Sequence, residues 1–480
     1  MADLILFWHR RDLRLEDSTG LAAGRALTPR IVGLFCLDPI LLRGPGVAAV
    51  RVQYLLGCLA DLQQAYHRIG SHLILVEGDP RQMIPQVAAT LRPQAVYWHQ
   101  DVEPYARQRD AAVAQALADL GIPSQTFWDQ LLHPPDAVTT QAGRPFTVYT
   151  PFWKAWNRLP KGDPLPTPQN CVGLTPEEMN RVKAVVRRDL PTLRDLGYES
   201  AVELGVEPGT SAALHLLETF CADPIRRYGE DRNFPAIPGT SQLSAALKFG
   251  VVGIRQVWAA SQEAAGLYPG DLEQAAIQTW QQELAWREFY QHGLYHFPHL
   301  VDQAHRRIFD QFPWDNQAAH FEAWCTGQTG YPMVDAAMRQ LNETGWMHNR
   351  CRMIVASFLT KDLLIDWRWG EHYFMERLVD GDLSANNGGW QWSASVGMDP
   401  KPLRIFNPAT QAARFDPEGA YIRHWLPELR GVDTPELLSG QMLPIERAGR
   451  GYPPPIVDHK RQQALFKQRY QRLTQGAALT

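Results

Sequence analysis

The first 130 residues alternate short apolar runs with longer amphipathic ones. Runs at 4–8, 31–37, 72–76, 95–98 and 124–128 are rich in aliphatic and aromatic residues, which predicts five strands. Between them, apolar positions recur at helical spacing from about Ser18, over 46–68, over 81–91 and over 104–120. This alternation predicts an α/β domain, a five-stranded doubly wound parallel sheet with helices on both faces. Ligands of such sheets bind beyond the carboxyl ends of the strands, where Cys36, Leu37, Asp38, Asp101 and Glu103 fall. From 132 to 206 the pattern dissolves into Pro, Thr, Gly and charge and reads as an inter-domain connector with short helices. Further on, helices are predicted near 211–228, 242–249, 253–265, 271–292, 317–325, 333–343, 346–364 and 370–379. The expected organisation is an α/β domain over 1–131, a connector over 132–206 and a large all-α domain over 207–480.

Several segments of the helical half mix side chains that neither a core nor a solvated face would combine. A helix over 346–364 would put Trp346, Asn349, Arg350 and Met353 on one face. An aromatic, an amide, a guanidinium and a thioether together suit a half-polar, half-aromatic ligand such as a flavin or a nucleobase. Next, Asp380, Asp382 and Asn386-Asn387-Gly388-Gly389 predict a polar loop with exposed amides. It closes on Trp390 and Trp392, which either plug a core or line a site. On the helix over 271–292, Trp280, Glu283, Trp286, Arg287 and Tyr290 share a face. A carboxylate between tryptophans must be paired or hydrogen-bonded, and an interhelical Glu–Arg salt bridge is the plainer use of Arg287. Thr240, Ser241 and Ser244 sit at the start of a short helix, where hydroxyls and free amides either cap it or hold a phosphate.

Composition narrows the function classes. The 47 basic and 51 acidic residues give a net charge of −4, which does not advertise nucleic-acid binding. A DNA partner would require positive charge gathered by folding. Six cysteines, at 36, 58, 171, 221, 325 and 351, show no metal or redox spacing and read as thiols of a reducing cytosol. No run is long and apolar enough for a membrane span and no secretory signal opens the chain, so a cytoplasmic location without a bound metal is expected. Neither Gly-x-Gly-x-x-Gly after the first strand nor a Gly-Lys-Ser/Thr phosphate loop occurs, which weakens dehydrogenase and nucleotide-hydrolase readings. Of the 16 tryptophans, 11 lie beyond residue 250, implying a large aromatic core or an aromatic cavity with an electron-hopping path.

Three motifs together resemble the photolyase/cryptochrome family of blue-light flavoproteins. They are Phe7-Trp8-His9-Arg10-Arg11-Asp12-Leu13-Arg14, the run from Trp280 to Tyr290, and Gly345-Trp346-Met347-His348-Asn349-Arg350-Cys351-Arg352-Met353. Within the family the chain is most similar to class I cyclobutane pyrimidine dimer photolyases, from Phe7 to about Tyr452. The resemblance implies light-driven DNA repair: FAD, active as the anionic hydroquinone, gives an electron to a flipped-out dimer, which splits into two pyrimidines. It implies FAD contacts from Tyr228, Thr240, Ser241, Leu243, Ser244, Trp280, Trp346, Asn349, Arg352, Asp380, Asp382 and Asn386. Glu283, Asn349, Met353 and Asn386 are the implied catalytic residues. Trp314, Trp367 and Trp390 match the tryptophans that carry an electron to the photoexcited flavin. For damaged DNA it implies Arg232, Glu283, Trp286, Arg287, Tyr290, Asn349, Arg350, Met353, Trp392 and Gln411, with Lys401, Arg404 and Arg414 as candidate phosphate contacts.

Subgroup choices follow from single positions. Asn349 and Met353 stand where (6-4) photolyases carry histidines, which favours cyclobutane dimers. Asn386 stands where plant-type cryptochromes usually carry Asp and animal types Cys, and with Trp392 it speaks against the alternative of a signalling cryptochrome without repair. Cys36, Leu37, Asp38, Arg51, Asp101, Glu103 and Lys248 match the antenna pocket of the subgroup that uses 8-hydroxy-5-deazaflavin. Methenyltetrahydrofolate is the other antenna chromophore the family uses. Family members are usually monomers, so a monomer is expected.

Overall fold

The computed structural model describes residues 3–44, 46–199, 203–399 and 403–477. The chain forms two compact units: 1–146, 150–226 and 241–298 in the first, 147–149, 227–240 and 299–480 in the second. These units divide the chain elsewhere than at the expected 131 and 206. The stretch expected as a connector carries helices Tyr149–Arg158 and Pro176–Val182 and, apart from 147–149, groups with the first unit.

The first unit is built on β1 (Ile5–His9), β2 (Ile31–Leu37), β3 (Leu73–Glu77), β4 (Ala95–His99) and β5 (Ser124–Phe127). All pair in parallel in the order β3-β2-β1-β4-β5, with Ile5 opposite both Ile31 and Ala95. Every residue of β1, β2 and β4 is buried, as an unbroken apolar run requires, whereas β5 is a largely exposed edge. The crossovers are α1 (Thr19–Leu27), α2 (Ala49–Arg68), α3 (Pro80–Leu91) and α4 (Pro104–Asp119). Ser18 caps α1 by accepting from the Leu21 N–H, and Asp79 caps α3 by accepting from the Arg81 N–H. The unit also holds α5 (Ile254–Leu267) and α6 (Asp271–His296).

The charged run after β1 is not a solvated turn. Asp12 and Arg14 are buried. His99 Nε2 accepts from the Gly20 N–H, so the proton sits on Nδ1, which donates to Asp12 Oδ2 at 2.6 Å. Burial alone would raise the Asp12 pKa, but hydrogen bonds from His9 and His99 hold it well below the usual carboxylate range. Arg14 and Arg255 both pair with Asp129, and Arg255 Nε donates to Asp17 Oδ1 at 2.6 Å. Two guanidiniums and two carboxylates thus neutralise one another and fix α5 to the sheet. Removing one partner would strand a buried charge.

The second unit is helical, around a core that includes Trp324, Leu341, Phe358, Trp367 and Trp390. Its functional stretch uses α7 (Pro332–Thr344), α8 (Asn349–Ser357), α9 (Trp367–Arg377) and α10 (Leu383–Ala394). Two sequence expectations need correction here. The helix expected over 346–364 starts only at Asn349: Gly345 ends α7 at φ 68, and His348 Nδ1 caps α8 by accepting from the Arg350 N–H. Trp346 therefore precedes the helix and does not share its face. Beyond Ser357 the chain continues as a π-helical turn, Phe358–Asp362. The loop expected over 380–392 is mostly α10. Asp382 caps it by accepting from the Ala385 N–H at 3.0 Å, and Asn387 Oδ1 accepts from Gln391 Nε2 at 2.9 Å, one turn along.

Gly33 in β2 tests how tightly the sheet is covered. A Cβ there would lie 2.6 Å from Tyr66 Cζ and 2.9 Å from Leu73 Cδ1. Gly33→Ala is expected to destabilise the protein by about 1–3 kcal/mol through overpacking, read as a lower urea midpoint in far-UV circular dichroism.

Candidate functional site

The α9–α10 pair and the turn between them carry Trp367, Asp380, Asp382, Asn386, Trp390 and Trp392. Gly370 on α9 gives Trp390 its place, since a Cβ at 370 would sit 2.1 Å from Trp390 Cη2. Trp390 is buried edge-on against Phe374 (centroids 5.0 Å) and Trp324 (6.0 Å). One turn earlier, Asn386 Nδ2 donates to the Glu371 carbonyl at 3.0 Å and to Glu371 Oε1 at 3.3 Å. Glu371 is 3% exposed, and burial pushes its pKa up to about 7 against the bond from Asn386. Arg352 on α8 donates to Asp380 Oδ2 at 2.8 Å and, through Nε, to the Met347 carbonyl at 2.8 Å. Trp367 is buried in the same core and Trp314 packs half-buried against it. The indole N–H groups of Trp314, Trp367 and Trp390 have no hydrogen-bond partner among the described residues.

Asp380 Oδ1, Ser384 Oγ and Asn387 Nδ2 are also buried without a partner among the described residues. Buried polar atoms nearly always find partners. Three orphans on the stretch that carries Asp380, Asp382 and Asn386 fit a flat ligand with donors and acceptors along its edge, such as the ring system of FAD. Tyr228, also in this unit, is buried, and Thr240 is half-buried.

A second cluster in this unit is cationic. Arg350 donates to Asn233 Oδ1 and lies 4.3 Å from the Phe415 ring centroid. Its pKa is lowered by burial and then by Arg232, Arg404 and Arg414. Its Nε and Gln411 Oε1 are buried without a partner among the described residues. Folding therefore gathers the positive charge that the overall −4 hides, into a site that calls for an anion. Asn349 is exposed and Met353 half-buried on the first turns of α8, with Asn349 Nδ2 3.9 Å from Met353 Sδ. Trp392 is half-buried on α10. Lys401 lies outside the described residues.

In the first unit, α6 carries Trp280 buried against Phe220 (5.2 Å), and Glu283, Trp286, Arg287 and Tyr290 half-buried along one side. Trp286 and Tyr290 lie 5.7 Å apart at 31°. Arg287 Nη1 donates to the Gln130 carbonyl at 2.8 Å. The acid that sequence reasoning missed is Glu288, fully buried, which accepts from the Leu132 N–H at 2.5 Å and from Trp156 Nε1 at 2.7 Å. Nothing in the local sequence distinguishes it from Glu283, because its partners come from distant segments. Ser241, Leu243 and Ser244 lie at the start of helix Ser244–Phe249, which has no side-chain cap.

Of the predicted antenna residues, Asp101, Glu103 and Lys248 gather around Arg11, and the others are held by separate contacts. Arg11 Nη1 donates to Glu103 Oε1 at 2.7 Å and lies 3.5 Å from Asp101 Oδ1, while Lys248 Nζ is 3.9 Å from Glu103 Oε1. Burial alone would raise the Asp101 pKa, but Arg11 and Arg10 hold it lowered. A small pocket here is lined by Arg10, Arg11, Asp12, His99, Asp101 and Gln130, among others. Beside it, Asp38 accepts from the Tyr105 hydroxyl at 2.5 Å, Cys36 Sγ donates to the Gly78 carbonyl at 3.3 Å, and Arg51 donates to the Gly46 carbonyl at 2.9 Å. Leu37 is buried.

Comparison with known proteins agrees with this geometry. A family model described as DNA photolyase matches residues 5–169, and one described as the FAD binding domain of DNA photolyase matches 280–472. The chain is 57% identical over 478 residues to a deoxyribodipyrimidine photo-lyase of Synechococcus sp., covering 100% of this chain and 98% of that protein. A crystal structure of a bacterial class III photolyase from Agrobacterium tumefaciens superposes with a TM-score of 0.89 at 33% identity, over 98% of both chains. A Synechocystis cryptochrome gives a TM-score of 0.88 at 27% identity, over 97% of this chain and 98% of that one. Among the described residues, no helix is long and apolar enough to cross a membrane.

The raised pKa of Glu371 has a definite sign for stability. Between the ordinary glutamate value of 4.5 and about 7, the unfolded chain gives up the proton that the folded protein keeps. The contribution of Glu371 to stability is thus fully present below pH 4.5 and is lost as pH rises to about 7. Glu371→Gln, neutral at every pH, is expected to flatten this part of the profile, gaining on the wild type at pH 7.5 relative to pH 5 in urea midpoints.

Proposed function

Because this chain belongs to the DNA photolyase family, we propose that it is a blue-light-driven repair enzyme that splits cyclobutane pyrimidine dimers in DNA. The observation that carries this is the full-length 57% identity to a deoxyribodipyrimidine photo-lyase, matched along both halves of the chain. Reduced FAD, when bound, supplies the electron that opens the cyclobutane ring and takes it back after the ring has split. The protein's own contribution is to bind, orient and polarise.

In this reading the half-buried Asn386, fixed by Glu371, presents its amide to the flavin, and Arg352 and Asp380 pair beside it. Asp382, Trp346, Asn349, Trp280, Tyr228, Thr240, Ser241, Leu243 and Ser244 complete the FAD contacts. A base must leave the duplex to be worked on, and photolyases are a named case of base flipping, with an unstacking cost of a few kcal/mol. Glu283 donates to or accepts from the polar edge of the dimer, Trp286 and Trp392 offer flat faces, and Asn349 and Met353 a polar and a soft contact. Arg232, Arg287, Tyr290, Arg350 and Gln411 hold the surrounding strand, and the arginine cluster neutralises phosphates.

Trp390, Trp367 and Trp314 pass an electron inward when the flavin needs reducing. Their lack of hydrogen-bond partners among the described residues supports this, because an indole without an acceptor retains its N–H proton when oxidised. At the antenna site, Arg11, Arg51, Lys248, Asp38, Asp101 and Glu103 form a mixed-charge lining that suits the ribityl chain and ring polar atoms of 8-hydroxy-5-deazaflavin, with methenyltetrahydrofolate as the other candidate.

UV-irradiated oligothymidine mixed with the reduced protein should regain thymine absorbance under blue light and not in the dark. An absence of regain with FAD bound and reduced would overturn the repair reading. Glu283→Ala should lower the splitting yield about tenfold, the scale of one charge-assisted hydrogen bond. Trp286→Ala should weaken dimer binding by about 1–3 kcal/mol. Trp390→Phe should slow photoreduction of oxidised FAD at least about tenfold while leaving repair by chemically reduced protein intact, because the barrier it raises lies only on the photoreduction path.

A further inference from the structure

Lys361 is an expense with no role in the reaction described above. It sits on the π-helical turn Phe358–Asp362, 1% exposed, and its ammonium has one hydrogen-bond acceptor among the described residues, the Arg404 carbonyl at 2.6 Å. Its Nζ also lies 5.8 Å from the Phe466 ring centroid. One helical turn earlier, Ser357 Oγ accepts from the Phe406 N–H at 3.2 Å. Two side chains four residues apart therefore grip alternate residues of one irregular segment.

That segment is under backbone strain. Leu403, immediately before Arg404, has φ 61, a left-handed conformation that a branched, non-glycine residue rarely adopts. Such a conformation persists only when the surroundings impose it. Arg404 is exposed beyond this kink, and its charge is one of the three that depress the pKa of Arg350. Burial pulls the Lys361 pKa down to about 7. An amine donates to a carbonyl in either protonation state, so the grip survives across neutral pH.

We propose that Lys361 is a positioning residue for DNA binding: by holding the Arg404 carbonyl it locks residues 403–407 in the strained conformation that presents Arg404 to a backbone phosphate. The proposal rests on the reading of the arginine cluster as a phosphate site. It assigns to a buried cation, out of reach of solvent, control over an exposed one.

The test is a double-mutant cycle of Lys361→Met and Arg404→Ala, read as binding to a single-stranded oligothymidine containing one cyclobutane dimer. Lys361→Met keeps the stem that packs inside and removes the donor. Each single variant is expected to weaken binding about tenfold and to make the salt dependence shallower by about one unit of slope, the signature of one lost phosphate contact. The double variant is expected to be no weaker than Arg404→Ala alone, because Lys361 acts through Arg404. A merely structural loss would add to Arg404→Ala and leave the salt slope unchanged. Wild-type affinity and slope in a Lys361→Met protein with normal FAD absorbance, or full additivity with Arg404→Ala, would overturn the proposal. If Lys361→Met does not fold, Leu403→Val probes the same conformation without touching the lysine. A β-branched residue resists φ 61 more than leucine does, so it should weaken binding and make the salt slope shallower, and unchanged affinity would overturn the proposal. Failure of the wild-type protein to bind the damaged oligonucleotide would instead overturn the phosphate reading itself.

Discussion

The steric allowance at Gly370 governs the site in the second unit. Only a residue without a Cβ lets the Trp390 ring lie against the backbone of α9. With Trp390 seated there, α10 has one rotation about its axis. That rotation turns Asn386, one turn earlier, onto Glu371 of the same facing helix. Asp382 then caps the helix, and the preceding Asp380 meets Arg352 from α8. The positions of amide, carboxylate and guanidinium thus follow from one missing methyl group. Asn386, Glu371 and Arg352 sit on helices, which position functional groups more accurately than loops do, and Asp380 lies in the short turn between α9 and α10.

The legibility of the sequence varies with the kind of force that shapes each part. The five strands and the helices between them could be read closely because unbroken apolar runs have few other uses. The α10 helix could not. Asn386-Asn387-Gly388-Gly389 has poor helix propensity, about 1 kcal/mol against each Gly relative to Ala, and every local signal there says loop. Tertiary packing overrides it: Asp382 at the start, the Asn387–Gln391 bond in the middle and buried Trp390 near the end. Trp346 failed in the opposite sense. The periodicity of 346–364 is real, but Gly345 and His348 shift the helix start past the tryptophan.

The candidate site was legible mainly through resemblance. Residue types and spacing identified α6 and α8 as unusual faces but left each with a plain alternative, and the three tryptophans on separate elements would not have been grouped by spacing at all. Buried charge networks were invisible for the same reason. Arg14, Asp17, Asp129 and Arg255 lie far apart in the chain, and Glu288 looks locally like any acid on a helix. Sequence distance hides pairing, and pairing is what makes a buried charge tolerable.

Two sets of buried polar groups stand out among the described residues. Asp12, Asp129 and Glu288 have their oxygens occupied by partners from several segments, and they hold the first unit together. Asp380, Ser384, Asn387, Arg350 and Gln411 each keep an atom buried and unmatched among the described residues. Leaving such an atom unsatisfied costs about 1–3 kcal/mol, which a bound partner would offset. The two groups of orphans differ in chemistry. One mixes a carboxylate, a hydroxyl and an amide beside a buried tryptophan; the other offers a guanidinium among guanidiniums. A flat, polar-edged ring and an anionic backbone are the complements of these two sets, and a flavin and a nucleic-acid strand are what a light-driven DNA repair enzyme must hold at once.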